Sequence, residues 1–220
     1  AQANGYAEQD PTADVEGLDT CRKLCILSSI AFGWHVLPEQ VATQGITKIT
    51  LEDEAYAAAC GHRIKLLGRS IIQEDGSLCA YVEPHFVSVQ DPLGGVEDVF
   101  NAIKVKGDAT GDVMFYGRGA GRLPTASAVV ADVIAAARKM ERAGYRPWQA
   151  NRPEGVRSPE QLESRWYVRL ASGSFSGGQL LTRPGAAEGE GAYLTPPMSR
   201  QTLEAQLRDQ KVLSVIRVLD

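Results

Sequence analysis

The chain of 220 residues contains no apolar run near the roughly 20 residues that a membrane-spanning helix needs. Its longest apolar-rich stretches, 24–31 and 126–137, are broken by polar residues, which excludes a membrane protein of the helical kind. It has no basic excess: Lys+Arg is 23 against Asp+Glu 27, a net charge of -4. Such a balance argues against nucleic acid as a partner, because that binding depends on a basic surface. Cysteine is scarce. Cys21, Cys25, Cys60 and Cys79 form no CxxC or CxxxxH pair, so the zinc spacings are missing and buried free thiols are the expected state. Unpaired thiols suit a reducing compartment, the cytoplasm. No initiator Met and no basic-then-apolar leader opens the chain, and AQANGYAEQDP reads as the interior of a longer polypeptide. What is present is ordinary for a globular protein: 44% apolar and 23% charged residues, enough for a core in one large domain or two small ones.

Apolar residues recur at helical spacing from Val15 to about Ala31, after Asp10-Pro11, a helix-opening pair, and before Gly33 and Pro38, which end the run. The β-branched stretch 46–51 reads as a strand, and 52–60 as a short helix closed by Gly61. Residues 63–73 and 77–89 read as strands joined by Glu74-Asp75-Gly76. A second hairpin spans 100–106 and 112–116, and the Gly-rich turn 117–121 leads into a long helix from Ala126 to about Ala143, with Gly144 as terminator. The proline-bearing stretch 146–160 reads as a linker. Beyond it the pattern predicts a strand at 166–171, a Gly-rich loop at 172–191 with a mobile part at 183–191, a strand at 192–195, a helix at 199–210 and a strand at 213–219.

Polar residues crowd the first 23 positions: Tyr6, Glu8, Asp10, Asp14, Glu16, Asp19 and Lys23. Asp19 and Lys23 stand at i and i+4. An exposed helical ion pair of that kind is worth only ~0.2–0.5 kcal/mol. The same groups, joined by Glu8 and Asp14, also suit a pocket that holds an amino-acid zwitterion and leaves an ammonium group for proton transfer. The Gly119-Ala120-Gly121 turn has two readings as well, a phosphate loop or a plain strand-to-helix turn. A lone GxG is weak, and Pro124 sits where the GxGxxG fingerprint wants its last glycine. His35, His62 and His85 share no pattern and read as packed or surface residues.

The run 5–23, GYAEQDPTADVEGLDTCRK, resembles the homoserine dehydrogenase signature GYxExDPxxDxxGxDxxRK. GITKIT (45–50), IKLLG (64–68), FNAI (100–103) and YGRGAGRLPTASAVVAD (116–132) resemble later blocks of that family in the expected order. The resemblance implies an oxidoreductase that interconverts aspartate 4-semialdehyde and L-homoserine with NADP or NAD, in the branch leading to threonine, methionine and isoleucine. By position, Lys23 resembles the catalytic lysine and Asp19 the carboxylate beside it. Glu8 resembles the residue that binds the substrate's amino group. Tyr6 and Asp14 resemble further substrate-pocket residues, and Gly119 and Gly121 resemble glycines near the cofactor. A homodimer is implied as the partner state. The family's N-terminal dinucleotide-binding domain, with its GxGxxG turn, is not in this sequence, so the chain as given is expected to be inactive alone. The long helix would then leave Val129, Val130, Val133, Ile134 and Ala137 exposed or covered by another chain.

The expected fold class is α+β, a mixed β-sheet with helices on one face, followed by a small ACT-like α/β tail. The divisions are 1–145 for substrate binding and dimerisation, with 116–145 returning toward the dinucleotide-binding part, 146–163 for a linker, and 164–220 for the tail. The tail resembles an ACT regulatory domain only in part: the DxPG turn and the helix after the first strand are missing, and SFSGG (174–178) stands there. Association of tails through their sheets is its expected role, with Trp148 and Trp166 sealing the contact between domains. The alternative for the whole chain is a non-catalytic dimerisation or amino-acid-sensing module.

Overall fold

The computed structural model describes residues 10–139 and 148–220. Contacts divide these into two compact units, one of residues 12–89 and 148–220, the other of 10–11 and 90–139.

The larger unit opens with α1 (Thr12–Val15) and α2 (Leu18–Phe32). The single helix expected from residue 15 is thus two. Gly17 breaks it with φ 77°, a left-handed conformation that glycine adopts without the Cβ penalty. Gly33, also left-handed, ends α2 as expected. A two-residue strand β1 (Ala42–Thr43) follows, then α3 (Leu51–Ala59). The strand expected at 46–51 is instead a turn that delivers Thr50 as the cap of α3: the Thr50 hydroxyl accepts from the Asp53 amide, and the Asp53 carboxylate accepts from the Thr50 amide. This reciprocal capping wins over β-propensity because it satisfies orphan amides at the helix start.

Strands β2 (His62–Ile72) and β3 (Leu78–Ser88) form the predicted hairpin, antiparallel along its full length. In the smaller unit, β4 (Phe100–Gly107) and β5 (Gly111–Arg118) pair antiparallel, and α4 (Arg122–Lys139) follows. Lys104 reaches the Asp91 carboxylate at 2.8 Å, and that hydrogen bond holds the lysine's pKa above its ordinary value. The apolar face of α4 (Val129, Val130, Val133, Ile134) is exposed, as expected. The expected helix end near Ala143 and its terminator Gly144 lie outside the described residues.

The chain returns to the larger unit through β6 (Val156–Arg157), β7 (Trp166–Leu170), β8 (Gln179–Leu181), β9 (Gly191–Leu194), α5 (Arg200–Leu207) and β10 (Val212–Val218). β8 lies inside the stretch expected to be loop. The order β10-β7-β9-β8, antiparallel throughout, is a split β-α-β arrangement lacking the helix between its first two strands. Phe175, from the loop that replaces the helix, packs in the cluster of Trp166, Val168 and Leu203.

The tail does not stand apart. β3 is the hinge line of a single mixed sheet: β2 covers one edge, while β6, β1 and β10 pair in parallel with successive parts of the other. The stretch expected as linker is also engaged, with Gln149 bridged to Trp34 and Val156 to Leu78. The 164–220 strands therefore extend the sheet of their own chain through β10. Trp166 is wholly buried beside α5 rather than at a domain boundary, and Trp148 rests on His35.

One face of the sheet carries α2, over Leu78, Ala80 and Val82, and α3, over Phe86, Tyr167 and Ile216. Helix α5 covers the other face of the tail strands, over Trp166, Val168 and Leu170. Covering on both faces explains why β7 reads as WYVRL with all five residues buried. Among the described residues, no helix is long and apolar enough to cross a membrane.

All four cysteines are free, with Cys21, Cys25 and Cys79 buried. Burial, then the neighbouring Cys21, pushes the Cys25 thiol up to about 12, and burial also raises Cys60 and Cys79. Since the thiolate is the nucleophile, thiol-directed reagents at pH 8 should label the folded chain far more slowly than the chain in urea. Rapid labelling of Cys25 before unfolding would contradict this burial.

Candidate active site

The first candidate residues lie on α2. Asp19 and Lys23 lie one turn apart in the first half of α2, and the Lys23 Nζ is 2.7 Å from the Asp19 Oδ2. The Lys23 side chain remains 54% exposed and that of Asp19 43%. The opposite side of the same helix is anchored by Cys21, Leu24 and Cys25 in the core, so the polar pair is presented outward on a fixed support. Asp14 stands on α1, ahead of the bend, and its carbonyl accepts from the Gly17 amide at 3.2 Å. Tyr6 and Glu8 lie outside the described residues.

The bend between α1 and α2 is held by the turn that precedes α3. The Ile46 amide donates to the Val15 carbonyl at 2.7 Å, and the Gln44 amide donates to the Val82 carbonyl at 2.7 Å. Gly45 touches the bend so closely that a Cβ there would sit 2.1 Å from the Val15 oxygen. Gly45→Ala should therefore displace the bend carrying Asp14, Asp19 and Lys23, and destabilise the chain by more than the ~1 kcal/mol typical of single substitutions. Urea unfolding checks this; an unchanged midpoint would show that the bend yields. Nothing in a strand-like reading of 46–51 suggested that this segment is the bend's seat.

The smaller unit carries Gly119 and Gly121. Gly121 has φ 117° just before α4. The Gly119 amide is already committed to the Val99 carbonyl at 2.9 Å, and the space beside its Cα is filled by Asn101. These glycines make a tight strand-to-helix turn. The Gly119 amide is therefore not free to bind a phosphate.

Sequence reasoning missed two buried polar clusters. In the first, Asp53 under α3 accepts from the Arg169 Nε at 2.9 Å and the Tyr167 hydroxyl at 3.0 Å, while the Arg169 Nη2 donates to the Thr50 hydroxyl at 2.9 Å. Glu190 joins through Arg169, Arg183 and the Tyr56 hydroxyl. The two ends of the 183–191 stretch, expected to be mobile, are thereby tied down. Burial, then the Asp53 charge, drives the Tyr167 phenol upward and keeps it a donor. In the second, Arg217 lies between the Tyr81 and Trp166 rings and bonds Glu83. His85 is wholly buried beside it, and desolvation pushes its imidazole down to about 3, keeping it neutral. The only sequence signal for either cluster was charge inside a strand that otherwise reads as core.

The profile of the homoserine dehydrogenase family matches residues 1–134. The chain is 40% identical over 184 residues to homoserine dehydrogenase from Bacillus subtilis (strain 168), covering 80% of the chain and 42% of that protein. It is 38% identical over 230 residues to the enzyme of Mycobacterium leprae (strain TN), covering 97% of the chain and 47% of that protein. The crystal structure of a homoserine dehydrogenase from Thiobacillus denitrificans superposes over 100% of this chain and 57% of its own, with TM-score 0.84 and 32% identity. That of S. aureus homoserine dehydrogenase at pH 7.0 does so with TM-score 0.78 and 31% identity, over 100% of this chain and 58% of its own. The chain thus spans about half the length of these relatives. With a profile match over more than half of its residues, and solved relatives following the whole of its fold, the chain belongs to the homoserine dehydrogenase family.

Proposed function

We propose that this chain supplies the substrate-holding and proton-transferring part of an enzyme that interconverts aspartate 4-semialdehyde and L-homoserine. The observation that carries the reading is the Lys23–Asp19 pair at 2.7 Å, on a helix inside the segment matched by the family profile. The reaction moves a hydride between a nicotinamide, of NADP or NAD, and the carbon bearing the substrate's oxygen. This chain's share is the oxygen side. In reduction, negative charge grows on that oxygen, and the Lys23 ammonium stabilises it and gives the proton. In oxidation, the same nitrogen, once neutral, accepts the proton. Asp19 holds the Lys23 side chain in place. By the family resemblance, Glu8 is assigned to the substrate's α-amino group, and Tyr6 and Asp14 to substrate binding. Gly119 and Gly121, in the tight turn before α4, would lie on the cofactor side of the site.

Because the chain spans about half the length of its relatives, the 220 residues alone are expected to turn nothing over. Calorimetry tests the reading directly. L-Homoserine should bind the chain saturably, and Glu8→Ala should abolish that binding; equal binding by the variant would refute the assignment. Oxidation of NADPH by the pure chain with aspartate semialdehyde would refute the expected inactivity. A homodimer remains part of the proposal, supported by the outward apolar residues Ile26 and Ile30 of α2 and read by sedimentation.

The tail's strand order supports an ACT-like origin for 164–220, and with it a second reading as an amino-acid sensor. The loop and Phe175 in place of the first helix weigh against that role. Saturable threonine binding lost on deleting 164–220 would reverse the preference.

A further inference from the structure

We infer that Asp53 is a positioning residue for the Asp19–Lys23 pair, through which the tail strands set the seat of the α1–α2 bend. This inference rests on the reading of Lys23 given above, but its first test does not. The observations form one connected chain within the larger unit. Arg169 and Tyr167 of β7 hold the Asp53 carboxylate at 2.9 and 3.0 Å. That carboxylate also takes the Thr50 amide at 3.1 Å and the Thr50 hydroxyl at 3.2 Å, and Arg169 bonds the same hydroxyl at 2.9 Å. Thr50 is therefore fixed from two sides. It ends the 44–49 turn, which closes on itself through the Ile49 amide to the Ile46 carbonyl at 2.9 Å and bonds the bend through the Ile46 amide to the Val15 carbonyl at 2.7 Å. From the bend, the Gly17 carbonyl receives the Cys21 amide at 2.9 Å, inside the α2 turn that carries Asp19 and Lys23.

The chemistry suits a rigid tether. Asp53 is wholly buried and Arg169 nearly so, and charge-assisted bonds in such surroundings are short and directional. Asp53 takes part in a capping box and in the anchoring of the tail at once. Loss of its charge frees Thr50 and, with it, the turn against which the bend rests. Tail residues on the far face of the sheet, such as Leu203 in the α5 cluster, have no such route.

The test compares Asp53→Asn with Leu203→Ala by amide hydrogen exchange of the 220-residue chain. In Asp53→Asn the Ile46 amide should exchange about tenfold faster, as expected from losing a bond to a buried charge, with the β3 amides little changed. In Leu203→Ala the Ile46 amide should stay at its parental rate. If Asp53→Asn fails to fold, Tyr167→Phe carries the test, since it removes one hydroxyl from the same carboxylate and should move Ile46 in the same direction. An unchanged Ile46 rate in the Asp53 or Tyr167 variant, or an equal rise in Leu203→Ala, overturns the inference. In the complete enzyme, Asp53→Asn should raise KM for L-homoserine several-fold while leaving KM for the nicotinamide cofactor in place, and Leu203→Ala should do neither. If neither chain nor enzyme uses homoserine, the functional reading fails while the exchange result still decides the tether.

Discussion

Replacing Lys23 by Met in the complete enzyme is expected to lower kcat for aspartate semialdehyde reduction by about 10²–10⁴-fold, the range for a lost general acid. The fold should hardly notice. The Lys23–Asp19 pair is about half exposed, and ion pairs of that exposure contribute less than about 1 kcal/mol. α2 is held instead by Cys21, Leu24 and Cys25 on its inner side. Met keeps the stem of the side chain and removes only the ammonium group. NADPH oxidation followed at 340 nm, beside a thermal melt, separates the two quantities. Near-parental turnover with an unchanged melt would remove Lys23 from the mechanism. A collapse of the melt would show that the pair is structural.

Arg217→Met gives the opposite pattern, a large loss of stability in a residue far from the proposed chemistry in sequence. Its guanidinium is wholly buried between Tyr81 and Trp166, with centroids at 5.0 and 4.3 Å, and it bonds Glu83 and, at 2.6 Å, the Ser164 hydroxyl. Removing it leaves Glu83 in the interior with only Arg200, at 3.8 Å, as a partial substitute. Breaking a buried pair by deleting one member costs about 3–5 kcal/mol, whereas replacing both members by apolar residues is often neutral. The double variant Arg217→Met/Glu83→Leu should therefore recover much of the loss in urea unfolding. Equal midpoints for the single and double variants would show that the stack on Trp166, not the charge of Glu83, is what matters. Because Arg217 sits opposite His85 in the parallel pairing of β10 with β3, this same cluster fastens the tail to the body.

The expected elements at α3, β2, β3, β4, β5, β7, β9, α5 and β10 are present within a few residues. Each carries its own local signal: a period, a cap or a turn dipeptide. The errors have a common cause. ITKITL has β-propensity, but its backbone is claimed by Val15 and by the cap of α3. Gly17 sits in an amphipathic run, but Val82 and Thr43 crowd it where α1 must turn into α2. Residues 183–191 look like free loop, but Glu190 and Arg183 bracket them with buried ion pairs. In every case a partner distant in sequence overrode the local preference.

By itself the sequence determined the family, the acidic and lysine-bearing motif at 5–23, and the kinds of element on either side of it, because these depend on residue identity and near-neighbour spacing. Tertiary structure alone decided that Gly45 seats the bend beneath Asp19 and Lys23, and that the tail strands join the body's sheet at β3. Those facts depend on which buried charges and backbone groups find partners. Asp53 and Arg169 are 116 residues apart in sequence, and only the desolvated interior, where an unpaired charge is costly, brings them together.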